Sequence, residues 1–196
     1  MLAKRIFDVF SSLILIVILS PILIIISIVI ICSGHPLLYK SKRVGLKGKE
    51  FYCLKFTSMK KLSSFPIEKQ NLILREINNN GYMRNDPRVT FIGHWIRKTS
   101  IDELPQLFNV LFNDMSLVGP RPISHYEIEK YGKYFKHYKM SKPGITGLWQ
   151  ISGRDNIGYK QRVAMDVLYS RNKCFLLDIY ILLKTPLVVL KMDGVN

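Results

Sequence analysis

The sequence is short of acid. Fourteen Asp and Glu residues stand against 29 Lys and Arg in 196 positions, a formal charge of +15. That deficit implies anionic partners: nucleic acid, phosphate-bearing substrates or a membrane surface. Cysteine is also scarce. Cys32, Cys53 and Cys174 are odd in number and far apart, which excludes a disulfide frame and a metal-ligand spacing and points to a reducing compartment. Internal repeats and low-complexity linkers are absent, so the chain reads as one domain, or one domain plus an anchor. Charge itself is missing from a long stretch: after Lys4, Arg5 and Asp8 none appears until Lys40. No small-x-small site follows that stretch, which excludes a cleaved signal peptide, and Ile31 before Cys32 excludes a lipoprotein-type site.

What fills the uncharged stretch is aliphatic. Residues 13–32 are long enough to span a bilayer as a helix, and 48% hydrophobic content beside such charge is unusual for a soluble nucleic-acid binder. Ser20-Pro21 interrupts the run near its middle. Pro21 removes an amide donor and presses on the Val17 carbonyl, and the Ser20 hydroxyl can supply the missing bond. Each half is about 18 Å long at 1.5 Å per residue, so a kinked span and a hairpin dipping into one leaflet both fit. Lys4 and Arg5 flank one end; Lys40, Lys42, Arg43, Lys47 and Lys49 flank the other. Basic flanks prefer the cytoplasmic side, which favours both ends on one face.

The remainder predicts an α+β, mainly helical body. The segments 43–49 and 51–56 alternate aromatic and β-branched residues around glycines and predict a short β-hairpin. Residues 63–80 predict a surface helix, closed by a turn at Asn78-Asn79-Asn80-Gly81. Residues 126–139 interleave tyrosines with lysines, which fits an amphipathic helix at the headgroup level better than a base-stacking patch. Residues 163–169 are helical in pattern, and residues 175–191 predict an interfacial helix too interrupted to span.

The chain is organised around residues 97–122, RKTSIDELPQLFNVLFNDMSLVGPRP. Leu104, Leu107, Phe108 and Leu111 mark one face of a helix. Ser100-Ile101-Asp102-Glu103 reads as a capping box, with Ser100 or Asp102 as the cap, and Pro105 suits only a first turn. The two acids can simply complement the helix dipole. They can also do chemistry: a helix N-terminus would hold Asp102 ionised and welcome a phosphate beside it. Arg97 precedes the pair, and Arg121 follows between prolines in Gly119-Pro120-Arg121-Pro122, where a rigid backbone would present a phosphate-matching fork.

This stretch resembles the signature of the bacterial sugar transferases, the small monotopic phosphoglycosyl transferases. The resemblance runs from Lys4 to about Thr185. It includes the Lys-Arg start and Ser-Pro break, Lys55-Phe56-Thr57-Ser58-Met59, and Asp86-Pro87-Arg88-Val89-Thr90. It continues through Lys142-Pro143-Gly144-Ile145-Thr146-Gly147, with Gln150 and Gly153-Arg154 beyond, to a late Asp178 and Lys184-Thr185. Thr57 departs from it, since the family usually has Arg there.

The resemblance implies a re-entrant membrane anchor over residues 1–38, broken at Ser20-Pro21 and flanked by Lys4 and Arg5. A cytosolic catalytic domain with interfacial helices follows over residues 39–196. It implies transfer of a sugar-1-phosphate from a UDP-sugar to polyprenyl (undecaprenyl) phosphate at the bacterial inner membrane, the first membrane step of a surface-glycan pathway. Asp102 would be the nucleophile, with Glu103 beside it and Mg2+ held by the pair. Lys55, Arg97, Arg121, Pro122, Arg154 and Asp178 would bind substrate. Membrane lipids and other glycan-pathway enzymes are expected partners; nucleic acid is not. Two rival readings are a membrane-anchored binder of nucleic acid or anionic lipid, and an inactive member of a glycan-assembly complex.

Overall fold

The computed structural model describes residues 2–80, 83, 85–153 and 157–191. It opens with one long helix, α1 (Leu2–Cys32), that continues through Pro21 where a break is expected. The Ser20 hydroxyl donates to the Val17 carbonyl at 2.7 Å. It replaces the amide that Pro21 lacks, so the ladder is repaired rather than ended. Among the described residues α1 is the one helix long and apolar enough to cross a bilayer.

The first turns of α1 are clamped to the body. Arg5 donates to the Val110 and Leu111 carbonyls at 2.5 and 3.0 Å. Lys4 meets Asp178 at 2.6 Å and the Val118 carbonyl at 3.3 Å. Buried Asp8 accepts the Ser116 hydroxyl at 2.7 Å and the Leu117 amide at 3.3 Å. Further along, Leu15, Ile16 and Leu19 pack on a core that includes Leu107, Val110 and Leu117. Leu23, Ile26 and Ile30 then join Phe56 and Ile96 in another. These positions recur every three or four residues, one stripe of a helix. The other faces stay bare, with Ile6, Phe10, Val17, Ile18 and Ile25 all exposed.

A hairpin follows. Strands β1 (Leu38–Val44) and β2 (Glu50–Phe56) pair antiparallel, from Leu38 opposite Phe56 to Val44 opposite Glu50. The first strand lies earlier than expected, because Gly45 to Lys49 make the turn. Lys47 and Gly48 both take positive φ there, 57° and 79°. Next come α2 (Ile67–Asn80) and α3 (Phe91–Lys98). Helix α2 runs through Asn78–Asn80, where a turn is expected; Gly81 lies outside the described residues. Then come α4 (Gln106–Leu111) and β3 (Ser116–Val118). Two short helices, α5 (Glu127–Tyr131) and α6 (Phe135–Tyr138), precede β4 (Gly144–Thr146) and α7 (Leu148–Ile151). The chain closes with α8 (Tyr159–Asn172) and α9 (Phe175–Lys191).

Residues 126–139 do not form one interfacial helix. Tyr131 and Tyr138 turn inward and pack with Val44, Ile123 and Val163. Their hydroxyls donate to Asp166 at 2.6 Å and to the Val44 carbonyl at 2.7 Å. Those buried partners outweigh a headgroup position for the two rings. Tyr126 and Tyr134 remain exposed.

Strands β3 and β4 pair in parallel, Ser116 with Gly144 and Val118 with Thr146. This small sheet brings the two glycine-bearing loops back to back. A Cβ on Gly144 would lie 2.0 Å from the Gly119 amide nitrogen, and one on Gly119 2.3 Å from the Lys142 carbonyl oxygen. Only glycine permits that approach.

Candidate active site

The acidic pair sits in a tight 3-10 turn, Ile101–Glu103, just before α4. The expected capping box does not form. Ser100 takes a left-handed backbone, φ 58°, and makes no side-chain cap bond. Pro105 sits at the N-cap of α4, and the Glu103 side chain is taken up by other partners.

Those partners are cations from two directions. Lys55 on β2 reaches Glu103 Oε1 at 2.6 Å, and Arg121 reaches the same oxygen at 3.3 Å. Buried Asn109 sets the first contact. Its side chain donates to the Tyr52 carbonyl at 2.7 Å and accepts the Leu54 amide at 2.9 Å, which locks α4 against β2. Lys55 is thereby placed opposite Glu103. Arg97 comes from the last turn of α3 and touches the Met59 sulfur at 3.0 Å. Trp149, on α7, lies beneath two guanidinium groups, Arg162 at 4.6 Å and Arg121 at 5.7 Å from its ring centre. Cations over an indole face are attracted by its quadrupole.

Lys55, Met59, Arg97, Arg121, Trp149 and Arg162 line one cleft of about 1380 Å³ together with the acidic pair. Among the described residues nine Lys and Arg side chains border it, against two carboxylates, Asp102 and Glu103. Such an excess suits a ligand carrying several negative charges. The volume exceeds the few hundred to about 1,000 Å³ of an ordinary small-molecule pocket. Helix α9 contributes Thr185, Val188 and Val189, so an apolar wall adjoins the charged one.

The two acids differ sharply. Burial raises the Asp102 pKa to about 6, and the Glu103 charge adds to the rise, against Lys55, Arg97 and Arg121. Burial works the same way on Glu103, but Lys55 and Arg121 overcome it and hold its pKa near 2. The expectation that a helix end keeps Asp102 strongly ionised is therefore reversed in sign. Helix α4 has six residues, too short to offset the burial. Asp102 is still mostly ionised at neutral pH.

The other expected site residues divide. Lys55, Arg97 and Arg121 gather around the pair. Pro122 is buried behind Arg121 and does not line the cleft. Asp178 is elsewhere: it is 3% exposed and shared between Lys4 and the Tyr169 hydroxyl, the latter at 2.7 Å. Its geometry fastens α9 to α1. Arg154 lies outside the described residues. Sequence reasoning missed Asn109, Trp149 and Arg162. Trp149 sits within the glycine-rich element already singled out, but nothing local marks Asn109 or Arg162.

For a cation, the relevant donors are hard carboxylate oxygens. No group of three or more His, Cys, Asp or Glu side chains capable of holding a metal occurs among the described residues. Mg2+ commonly takes one or two carboxylates and completes its shell with phosphates and water. Asp102 and Glu103 fit that shared mode, not a closed protein cage.

Residues 1–192 match the bacterial sugar transferase family. The chain belongs to that family. Among relatives, the undecaprenyl-phosphate galactose phosphotransferase of Salmonella typhimurium is 47% identical over 196 residues, 97% of this chain and 41% of that protein. The exopolysaccharide production protein ExoY of Rhizobium meliloti is 41% identical, over 94% of this chain and 84% of its own length. The UDP-glucose:undecaprenyl-phosphate glucose-1-phosphate transferase of Klebsiella pneumoniae is 36% identical, over 94% and 39%. The chain thus spans about two fifths of the length of the Salmonella and Klebsiella proteins.

The coupling between the acids is directly measurable. Carbon-13 NMR of labelled aspartate should show Asp102 titrating near pH 6. Glu103→Gln removes a neighbouring negative charge and should move that titration to lower pH. A midpoint that stays in place or rises contradicts the assignment of the repulsion to Glu103.

Proposed function

We propose that this sugar transferase moves a sugar-1-phosphate from a UDP-sugar to polyprenyl phosphate through a covalent aspartyl-phosphosugar. The observation that carries the reading is Asp102: a buried carboxylate beside Glu103 in a cleft bordered by Lys and Arg side chains. A carboxylate whose pKa is raised is a better nucleophile than an ordinary one while it remains charged. The relatives' names supply the substrate classes, an undecaprenyl phosphate and a UDP-sugar.

The chemistry balances in two displacements. An Asp102 oxygen attacks the sugar-bearing phosphorus. The bond to the bridging oxygen breaks, and UMP leaves with its electron pair. A phosphate oxygen of the lipid then attacks the same phosphorus. The acyl-phosphate bond breaks and the Asp102 carboxylate is restored. Phosphoryl transfer depends on alignment and charge neutralisation more than on proton transfer. Lys55, Arg97 and Arg121 supply cations, and Glu103 fixes two of them in place. Mg2+, when bound at the acidic pair, would neutralise diphosphate charge.

The anchor completes the proposal. Helix α1 is about 46 Å long at 1.5 Å per residue, against a hydrocarbon core of about 30 Å. A straight crossing would carry its ends to opposite sides of the bilayer. Yet Lys4, Arg5 and Asp8 at one end and Ile30 at the other all contact the same body. We therefore read residues 1–38 as dipping into one leaflet, with residues 39–196 on the cytosolic side of the inner membrane. The bare faces of α1 and α9, including Leu176, Leu183 and Leu187, fit lipid contact. A soluble sugar nucleotide and a membrane-held phosphate can then meet at one depth.

The decisive assay is UMP release from a panel of UDP-sugars, with Mg2+ and polyprenyl phosphate present. Wild-type protein should release UMP from at least one of them. Asp102→Asn should lose at least about a thousandfold; near-normal release by that variant refutes the nucleophile. For topology, Ala3→Cys and Lys40→Cys, each in a Cys32→Ser, Cys174→Ser background, should both label from the cytosolic side. Labelling from opposite sides refutes the one-leaflet anchor.

A further inference from the structure

Helix α9 has two faces with different surroundings. Asp178, Ile181, Thr185 and Val188 recur every three or four residues and share one of them. The first two are buried, at 3% and 0% exposure. Thr185 then ties this face to β4: its hydroxyl oxygen lies 2.8 Å from that of Thr146 and donates to the Ile181 carbonyl at 2.7 Å. Beyond that tie the core ends, but the apolar face continues. Val188 and its neighbour Val189 are half-buried and line the same cleft as the acidic pair. Ile145 on β4 and Ile151 on α7 line it too. The opposite face of α9 is bare, with Leu187, Leu183 and Leu190 exposed.

We propose that Val188 and Val189, with Ile145 and Ile151, seat the first isoprene units of the acceptor lipid phosphate. The proposal rests on the function proposed above. Apolar side chains inside a cation-rimmed cavity gain nothing from a purely polar ligand, since only a hydrocarbon displaces water from them favourably. A UDP-sugar carries no hydrocarbon chain; a polyprenyl phosphate carries one joined directly to its phosphate. Its anionic end then meets Lys55, Arg97 and Arg121 while its tail lies on the apolar wall. The tail also has a way out. Exposed Pro186 and Leu190 lie between the cleft-facing valines and the bare leucines around the helix. The apolar surface is therefore continuous from the cleft to the face of α9 that fits lipid contact. One end of the acceptor can sit beside the acidic pair without the rest leaving the bilayer.

The two half-reactions make the seat testable. When donor and acceptor react in separate displacements, kcat/KM for each substrate reports on its own half. The full chain in nanodiscs is assayed with undecaprenyl phosphate and a UDP-sugar that the wild type accepts. The double variant Val188→Ser, Val189→Ser should lower kcat/KM for undecaprenyl phosphate by roughly tenfold to a hundredfold, through lost apolar contact. Its kcat/KM for the UDP-sugar should stay within about twofold of wild type. Equal losses for both substrates, or no loss for the lipid, overturn the proposal. If the serine pair does not fold, Val188→Ala with Val189→Ala takes its place, with the same split and a smaller first effect. A photolabel reads the seat without turnover. Wild-type protein irradiated with diazirine-bearing geranyl phosphate should be labelled on the tryptic peptide 185–191, and excess undecaprenyl phosphate should suppress the label. A label absent from that peptide, or one that undecaprenyl phosphate does not suppress, overturns the seat. If the wild type releases no UMP from any UDP-sugar, the proposed function fails by itself and the photolabel alone decides.

Discussion

Asp102 and Glu103 are neighbours in the chain, and their charges repel in a cleft walled by protein. Left alone, both would protonate, since burial penalises each. Lys55 and Arg121 break the symmetry by converging on a single oxygen of Glu103. Glu103 is held well below the ordinary carboxylate range, while burial pushes Asp102 up to about 6. Much of the surrounding architecture serves that asymmetry. Asn109 sets where Lys55 stands, and the glycine contact between the β3 and β4 loops sets where the Arg121 segment begins.

The apolar helix α1 joins that body through polar contacts at its first turns and through an apolar stripe further along. Lys4, Arg5 and Asp8 are usually read from a sequence as topology signals. Here they are tied into the domain: Arg5 caps the last carbonyls of α4, the helix that follows the acidic pair. Lys4 and Tyr169 converge on Asp178 and on the Val118 carbonyl, just ahead of the Arg121 segment. Anchor and site therefore share supports. A rearrangement of α1 would be felt at both α4 and β3.

Sequence reading succeeded where the signal is local. The extent of α9, the presence of a hairpin and the Ser20 bond to the Val17 carbonyl follow from periodicity, turn residues and the chemistry of proline. Arg97 and Arg121 lie close to the acids in the chain, whereas Lys55 was reached only through the family resemblance. Long-range pairings were illegible. Lys4 and Asp178 are 174 positions apart, and nothing near either one names the other. Strands β3 and β4 are three residues each, too short to carry a pattern. The sign of the Asp102 shift was missed because burial dominates it, and burial belongs to the folded body. The capping box failed for a related reason: the backbone at Ser100 adopts a left-handed turn that the motif alone does not reveal.

The central claim is that Asp102 itself carries the phosphosugar between donor and acceptor. Peptide mass spectrometry on protein mixed with UDP-sugar and quenched before lipid phosphate is added tests it most directly. The account predicts a sugar-phosphate adduct on the peptide containing Asp102, which disappears once polyprenyl phosphate is supplied. An active preparation whose Asp102 peptide is never modified, at any quench time, would instead mean that the lipid attacks the nucleotide sugar directly.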